Sequence, residues 1–343
     1  MRLRTLGGTG IKVSVLTLGS MMFGPTGNPD EAECARIIHR ALDAGINTID
    51  TADLYSRGVS EEIVGRALKG RRDNVVLATK FHGPMGDDPN MRGAGRRWIA
   101  RAVEDSLRRL GTDWIDVYHV HRPDPDTDFD ETLGALTDLV RTGKIRAIGT
   151  STFPASAIVE GQWLAERRGR ERVRCEQPPY SLLTRAAETE VLPLCRSYGM
   201  GVLIWSPLAG GWLSGRHRGG SATDSSRAGR FPERWDLALP ANAAKLRAVE
   251  ALGKLADEVG ISLVHLAIAW TLEHPAVTSA IIGPRVMEHL ESQLGADEVP
   301  LSTDVLDRID EIVPPGTTFN PADVGYDAPG LTDLALRRRS HGS

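Results

Sequence analysis

The sequence predicts an α/β protein of the (β/α)8 TIM-barrel class. Short apolar runs alternate with amphipathic stretches of helical length, and eight such runs follow the N-terminal segment. The units recur at a spacing of roughly 30–40 residues without a sequence repeat, which argues against a solenoid. Eight βα units favour a closed barrel over an open sheet. The 343 residues suit one barrel domain over residues 1–343, because α/β barrels reach this length as single units.

The N-terminal segment is predicted to form a β-hairpin outside the barrel. Extended patterns at Leu3-Arg4 and Ile11-Lys12-Val13 flank the turn Gly7-Gly8-Thr9-Gly10. The eight predicted barrel strands follow in order and span residues 15–18, 46–49, 75–79, 115–120, 147–149, 173–176, 202–205 and 279–282.

Amphipathic helices are predicted between these strands. The first has Asp30 and Glu33 as a capping pair and Gly45 as its stop, and the second follows Ser60 and stops at Gly70. The predicted helices span residues 31–45, 61–70, 97–110, 130–141, 154–167, 187–198, 241–259, 262–274, 286–294 and 305–313.

Two stretches break the βα alternation. Residues 207–240 are rich in Gly, Ser and Arg, and a long irregular loop in a barrel is typically a lid, a binding loop or a flexible connection. We expect this loop to be a lid over the open face of the barrel, with a plain flexible loop as the alternative. Residues 314–343 form an irregular C-terminal segment that ends in a basic tail, which is expected to be solvated.

Composition restricts the class of protein. A net charge of −4 gives no basic character for nucleic-acid binding. Three cysteines without CxxC spacing argue against disulfides and structural zinc and favour a reducing, cytoplasmic location. There is no signal-peptide pattern and no apolar run of membrane-spanning length, so no membrane role is expected.

Four side chains that can carry chemistry follow three consecutive predicted strands. Asp50 ends the second strand and Tyr55 lies in its loop, Lys80 ends the third strand, and His121 ends the fourth. Because the C-terminal ends of barrel strands point one way, these residues are expected to converge. Taken singly, each residue has a structural explanation as a turn, capping or solvated residue. As a set on adjacent strand ends they predict an active site.

The combination suits proton donation to an oxygen. A lysine ammonium beside a phenol favours the phenolate and lowers the tyrosine pKa, and Asp50 would hold the lysine in place. Tyr55 is then a general acid, and His121 orients a carbonyl oxygen or relays the proton. His119 lies two residues before His121 and is read as barrel lining, because no third ligand has recognisable metal-site spacing. No metal is expected.

These residues resemble the catalytic tetrad of the aldo-keto reductase superfamily. The resemblance covers nearly the whole chain and includes Gly45 to Ala52, the Gly143-Lys144-Ile145-Arg146 run and the Trp205-Ser206-Pro207-Leu208 turn. The chain resembles the bacterial branch of this superfamily that is related to potassium-channel β-subunits and deoxysugar ketoreductases. The resemblance implies the same barrel, with Tyr55 as general acid, Lys80 and Asp50 tuning it, and His121 orienting the substrate.

The resemblance also implies a nicotinamide cofactor bound without a GxGxxG motif, which the chain lacks after its first strand. Ser151, Thr152 and Gln177 would bind the carboxamide, and Trp205 would stack on the nicotinamide. The turn from Ser206 to Leu213 would receive the pyrophosphate through backbone N–H groups. The residues of this turn that are expected to bind the cofactor are Ser206, Pro207, Leu208, Gly210 and Leu213.

The adenosine end would lie on the segment after the eighth strand, against Gly283, Arg285, His289 and Gln293. Arg285 beside a helix N-terminus would favour a 2′-phosphate and hence NADPH over NADH. His289 stands where many family members have Arg, and Thr152 and Gln293 stand where Asn is common.

The substrate is expected to meet the other loops of the same barrel face. Met22, Phe23, Phe81 and Arg122 are predicted to line its pocket, although the apolar members could equally be core packing. Arg122 and His82 suggest a polar or anionic portion of the substrate. The favoured function is reduction of a small-molecule aldehyde or ketone with NADPH. A cofactor-sensing regulatory subunit is the main alternative, and a hydrolase or lyase lacks a visible nucleophile or metal cluster.

Overall fold

The computed structural model describes residues 1–218, 229 and 231–338, and it contains a closed barrel of eight parallel strands. Strands β1 (Leu3–Thr5) and β2 (Lys12–Ser14) form a separate antiparallel hairpin. The barrel strands are β3 (Leu16–Gly19), β4 (Thr48–Asp50), β5 (Val76–Phe81), β6 (Ile115–Val120), β7 (Ile145–Ser151), β8 (Val173–Gln177), β9 (Gly201–Trp205) and β10 (Ser279–Ile282). They pair in chain order, and β10 closes the barrel against β3. The predicted fold class and hairpin are therefore confirmed.

The described helices follow the predicted positions closely. They are α1 (Glu31–Asp43), α2 (Val59–Ala67), α3 (Arg96–Leu110), α4 (Phe129–Arg141), α5 (Ala155–Arg168), α6 (Val191–Ser197), α7 (Pro240–Glu258), α8 (Leu263–Glu273), α9 (Met287–Glu291), α10 (Thr303–Ile312) and α11 (Pro329–Thr332). The helix predicted over 187–198 is divided into a 3-10 turn at Ala186–Glu188 and α6.

The start of α1 differs in one detail from the predicted capping pair. Asp30 caps the helix, since its carboxylate accepts from the Glu33 N–H at 3.0 Å. The Glu33 carboxylate does not reach back to Asp30. It accepts from Asn28 Nδ2 at 3.0 Å and from the Met287 N–H at 3.3 Å instead, because α9 packs beside this turn. Glu33 therefore joins α1 to α9.

The hairpin closes the N-terminal end of the barrel. Leu6 and Val13 are fully buried and share a small apolar cluster with Ala78, Val117, Cys175, Leu203 and Ile281. Gly7 approaches the opposite backbone so closely that an added Cβ would lie 2.5 Å from the Gly201 nitrogen. A larger apolar cluster fills the layer between strands and helices. The C-terminal end of the barrel is consequently the end that opens towards a ligand.

The C-terminal segment crosses this open end and is held by buried polar contacts. The Asp323 carboxylate accepts from Arg234 Nε and from Lys245 Nζ, both at 2.8 Å, and Lys245 is fully buried on α7. Asn320 Nδ2 donates to Asn242 Oδ1 at 2.8 Å. These bonds place Gly325 against the Trp205 ring at the end of β9, where an added Cβ would lie 3.0 Å from the ring.

Part of the expected lid lies outside the described residues, namely positions 219–228 and 230, as does the end of the basic tail from 339. On either side of that gap Trp212 and Trp235 are buried and stack with ring centroids 5.0 Å apart. Among the described residues no single helix is long and apolar enough to cross a membrane. Only α7 and α8 taken together pass that test, and they are bent by 95° relative to each other.

Candidate active site

Lys80 is the centre of the site at the open end of the barrel. Lys80 is the last residue of β5 whose side chain faces the inside of the barrel, and this side chain is fully buried. Its Nζ donates to Asp50 Oδ2 at 2.6 Å, to the Thr51 carbonyl at 2.8 Å, and to the Tyr55 hydroxyl at 3.4 Å. The structure therefore brings together Asp50, Tyr55 and Lys80 as the sequence predicts, with the lysine between the carboxylate and the phenol.

His121 completes the group from the end of β6. Its ring meets the Tyr55 ring edge-on, with centroids 5.9 Å apart and an interplanar angle of 79°. Its backbone N–H donates to the Phe81 carbonyl at 2.9 Å, which fixes its position beside β5. Burial, and then the Lys80 charge, hold the pKa of His121 well below its usual value. The imidazole is therefore neutral at physiological pH and can donate a hydrogen bond to a carbonyl oxygen.

The titration of Tyr55 differs from the sequence expectation. Burial raises the pKa of Tyr55 above its ordinary value, and the opposing effect of Lys80 does not fully reverse it. Lys80 lowers the pKa of Tyr55 as expected, but the effect of burial is larger in this structure. Burial lowers the pKa of Lys80, but Asp50 and Tyr55 more than compensate, so its pKa is raised. At neutral pH the pair is a protonated phenol beside an ammonium, the forms needed in a proton donor and its stabilising cation.

His119 lies beneath this site as predicted. Its ring is fully buried against Gly149, where an added Cβ would lie 2.4 Å from Cδ2. Burial, followed by the Lys80 charge, lowers the pKa of His119 to about 3, so the ring is neutral. In the part of the chain that the structure describes, no three His, Cys, Asp or Glu side chains are grouped as metal ligands would be.

A buried ionic network behind β5 has no counterpart in the sequence analysis. Glu61 on α2 is fully buried and accepts from Thr79 Oγ1 at 2.6 Å and from Arg109 Nε of α3 at 2.7 Å. Asp53 lies nearby with both carboxyl oxygens buried and without a partner among the described residues. Burial, with Glu61 adding to it, raises the pKa of Asp53 well above its usual value. The Thr79 bond ties the residue before Lys80 to two helices.

The residues expected to hold the carboxamide lie next to the tetrad. Gln177 Nε2 donates to Asp50 Oδ1 at 2.8 Å, so the end of β8 contacts the carboxylate that holds Lys80. Ser151 Oγ donates to the Gln177 carbonyl at 2.9 Å. Thr152 has a φ of 59°, a conformation that is uncommon for a non-glycine residue and often marks a functional site. All three side chains are buried.

The turn after β9 has an uncommon backbone conformation. Ser206, Ala209, Gly210 and Gly211 all have positive φ, at 61°, 49°, 72° and 115°. The Ala209 N–H donates to the Ser206 carbonyl and the Gly210 N–H donates to Ser206 Oγ, both at 2.8 Å, so these donors are used within the turn. Pro207 and Leu213 are buried and Leu208 is partly buried, so they anchor the turn. The Trp205 indole N–H is buried and has no partner among the described residues.

The segment after β10 contributes a cationic group. The backbone N–H of Arg285 lies 3.4 Å from His289 Nδ1. The guanidinium of Arg216, in the loop after β9, contacts Nε2 of the same histidine. Gln293 is buried and donates to the His289 carbonyl at 2.6 Å. Helix α9 has only five residues, shorter than predicted, so its dipole adds little to the site. The sequence analysis did not select Arg216, which is 73 residues away from His289 along the chain although the two side chains are in contact.

Comparison with known proteins is consistent with this geometry. The family model described as "Aldo/keto reductase family" matches residues 15–314. The chain belongs to the aldo/keto reductase family. It is 42% identical over 320 residues to "Uncharacterized oxidoreductase YrpG" of Bacillus subtilis, covering 90% of this chain and 95% of the relative.

Two further relatives are named for different roles. The chain is 36% identical to "Probable voltage-gated potassium channel subunit beta" of Arabidopsis thaliana, covering 91% of this chain and 97% of the relative. It is 33% identical to "Versiconal hemiacetal acetate reductase" of Aspergillus parasiticus, covering 91% and 96%. As an aldo/keto reductase, this chain is an NAD(P)H-dependent oxidoreductase that acts on small molecules.

The described residues of this aldo/keto reductase fit a dinucleotide on two observations. The Trp205 indole N–H is a buried donor without a partner among the described residues. At Gly283 an added Cβ would meet nothing within 4 Å, so there is open space beside the end of β10.

The substrate residues divide into two groups. Phe23, Phe81 and Met22 belong to or border the core, because Phe23 and Phe81 are fully buried and Met22 is 7% exposed. Phe81 faces away from Lys80 and stacks on Tyr118 with centroids 4.8 Å apart, so the structure does not bring it to the mouth. Arg122 does lie at the mouth. Met21 and Leu54, in the loops that follow β3 and β4 at the same end of the barrel, are exposed apolar side chains that the sequence analysis did not select.

Proposed function

We propose that this aldo/keto reductase is an NADPH-dependent carbonyl reductase in which Tyr55 is the general acid. The observation that carries the proposal is the placement of Lys80 Nζ between Asp50 Oδ2 and the Tyr55 hydroxyl, at 2.6 and 3.4 Å. The fully buried ammonium lies where it can stabilise a phenolate but not deprotonate the tyrosine at neutral pH.

The protein's own residues supply the proton and its control. When bound, the nicotinamide supplies the hydride to the carbonyl carbon. Tyr55 gives its hydroxyl proton to the carbonyl oxygen, which breaks the phenol O–H bond and leaves a phenolate beside Lys80. Asp50 fixes the ammonium through the 2.6 Å bond, and Gln177 fixes Asp50 from the opposite side. The neutral His121 imidazole donates a hydrogen bond that orients the carbonyl oxygen. Solvent then reprotonates Tyr55.

The preference for NADPH is supported by two arginines near the segment after β10. The Arg216 guanidinium, from the loop after β9, contacts His289, and Arg285 lies on the segment itself, with its backbone N–H 3.4 Å from His289 Nδ1. A 2′-phosphate is bound most strongly by such bidentate donors. We further propose that residues 207–240 act as a lid over the cofactor and that the whole chain is one barrel domain.

The second candidate is a cofactor-sensing regulatory subunit, which the similarity to a channel β-subunit suggests. A regulatory role alone gives no reason for a complete tetrad with a neutral histidine. The reductase is therefore favoured.

A turnover screen tests the proposal. Purified protein is assayed with NADPH or NADH against aldehydes, ketones and keto-sugars, while binding of each nucleotide is followed by tryptophan fluorescence. The proposal predicts turnover of at least one carbonyl class with NADPH and a higher kcat/KM than with NADH. Tight nucleotide binding without turnover over the whole panel would favour the regulatory role, and a preference for NADH would refute the cofactor assignment.

A further inference from the structure

The Arg122 guanidinium lies at the mouth of the site, directly after His121. Its Nη1 donates to the His121 carbonyl at 2.6 Å, and its Nη2 lies beside Gly325, where an added Cβ would be 3.5 Å away. The same Gly325 position contacts the Trp205 ring. Arg122 therefore extends from β6 towards the side of the mouth formed by β9 and the C-terminal segment.

Arg122 has no ion-pair partner among residues 1–218, 229 and 231–338. Of its five N–H groups, one donates to the His121 carbonyl, and the others make no hydrogen bond to the described residues. The nearby carboxylates are used elsewhere: Asp50 pairs with Lys80, and Asp124 accepts from Thr127 Oγ1 at 2.8 Å and from the Ala94 N–H at 2.7 Å. A largely buried guanidinium left in this state is unusual, since buried charges are normally paired.

The remaining groups that face Arg122 do not neutralise it. Tyr55 and Glu176 are the two acidic groups that interact with the guanidinium. The other titratable groups around it, Lys80, His82 and His121, are positively charged or neutral. Glu176 is engaged by Thr150 Oγ1 at 2.5 Å and by the Phe153 N–H at 3.1 Å, and burial raises its pKa to about 7. The mouth therefore carries a net positive charge beside the reacting atoms.

We propose that Arg122 binds an oxyanion group of the substrate, so that this enzyme prefers aldehydes or ketones bearing a carboxylate or phosphate. The inference rests on the proposed carbonyl reductase function and adds the substrate class. The exposed side chains Met21 and Leu54, at 38% and 39%, give the rim an apolar character that suits the carbon skeleton between the two groups. A bidentate guanidinium–oxyanion contact would orient the carbonyl towards Tyr55.

Two pairs of substrates, each with one anionic and one neutral member, test this. We would compare kcat/KM for 4-carboxybenzaldehyde and methyl 4-formylbenzoate, which differ in one negative charge, and for glyceraldehyde 3-phosphate and glyceraldehyde. The wild type is expected to prefer an anionic member by roughly 10- to 100-fold, the size of a charge-assisted hydrogen bond. Arg122→Leu should lower this preference by the same factor, and Arg122→Lys should lower it less.

The control is Arg141→Leu, which removes an exposed guanidinium on α4 and should leave the preference unchanged. A wild type that treats both members of each pair alike, or an Arg122→Leu variant that keeps the wild-type preference, would overturn the inference while reduction itself remains. If no aldehyde is reduced at all, the proposed function fails instead. Calorimetric binding of 4-(hydroxymethyl)benzoate and its methyl ester then decides the role of Arg122, since the same loss of anion preference must appear in the Kd values.

Discussion

Gln177 Nε2 donates a 2.8 Å hydrogen bond to Asp50 Oδ1, while Lys80 Nζ donates to the other oxygen of the same carboxylate at 2.6 Å. The residue expected to contact the cofactor therefore also holds the carboxylate that fixes the catalytic ammonium. Both oxygens of Asp50 accept hydrogen bonds, and its side chain is only 3% exposed. Gln177 therefore links the position expected for the carboxamide to the carboxylate that holds Lys80.

Removing Lys80 alone should cost both activity and stability. In Lys80→Met, Asp50 becomes a buried carboxylate without its cation, and we expect a loss of about 3–5 kcal/mol of unfolding free energy. The double variant Asp50→Asn/Lys80→Met removes both charges and should recover most of that stability without recovering turnover. Urea unfolding and steady-state kinetics on both variants provide the measurement. Equal stability of the single and double variants would contradict the assigned ion pair.

The pH dependence of carbonyl reduction should have one limb. Tyr55 must be protonated to act as an acid, and burial raises its pKa, so kcat should fall only in the strongly alkaline range. Burial and then Lys80 keep the pKa of His121 well below its usual value, so lowering the pH from 8 to 6 should not change its charge. An acidic limb near pH 6.5 in kcat would show that His121 titrates as an ordinary histidine.

Glu176 should make the folded state less stable at high pH. Burial raises its pKa from 4.5 to about 7, so the cost of ionising it is absent below pH 4.5, grows between the two values and is complete above pH 7. Glu176→Gln should remove this cost, so its stability relative to wild type should rise by about 2–3 kcal/mol from pH 5 to pH 8. Parallel stability curves for the two proteins over that range, measured by urea unfolding, would contradict the burial effect.

The C-terminal segment should influence activity through Gly325. This residue has a φ of 73°, and an added Cβ would lie 3.0 Å from the Trp205 ring. Gly325→Ala should therefore displace Trp205 or the segment and lower kcat/KM on the order of tenfold. Gly330→Ala is the matched control in the same segment, because its added Cβ would meet nothing within 4 Å. Steady-state kinetics that show equal effects for both variants would mean that the contact with Trp205 is unimportant.

Much of this arrangement was predictable from local pattern. Asp50, Lys80 and His121 come at the ends of three adjacent strands, and barrel topology alone makes them converge. The position of Phe81 directly after Lys80 predicts a pocket residue, but β5 continues through Phe81, and the alternation of side chains along the strand turns it into the core. The direction of the Tyr55 pKa also needed the structure, because burial competes with the lysine.

Long-range contacts between helices and loops gave no signal in the sequence. Glu61 and Arg109 are 48 residues apart, and Asp323 and Lys245 are 78 residues apart, yet each pair forms a buried ionic contact. Neither pair belongs to a local motif or a periodic pattern. Similarly, Arg216 lies in a glycine-rich loop that predicted only irregular structure.

The central claim, that Tyr55 protonates a carbonyl oxygen, is tested most directly by Tyr55→Phe. The variant keeps the ring and its edge-on contact with His121 but lacks the hydroxyl near Lys80. We expect nucleotide binding, followed by quenching of tryptophan fluorescence, to remain within about twofold, while single-turnover reduction of a good aldehyde substrate falls by roughly 100- to 10,000-fold. A single-turnover rate in Tyr55→Phe equal to that of the wild type would contradict the mechanism.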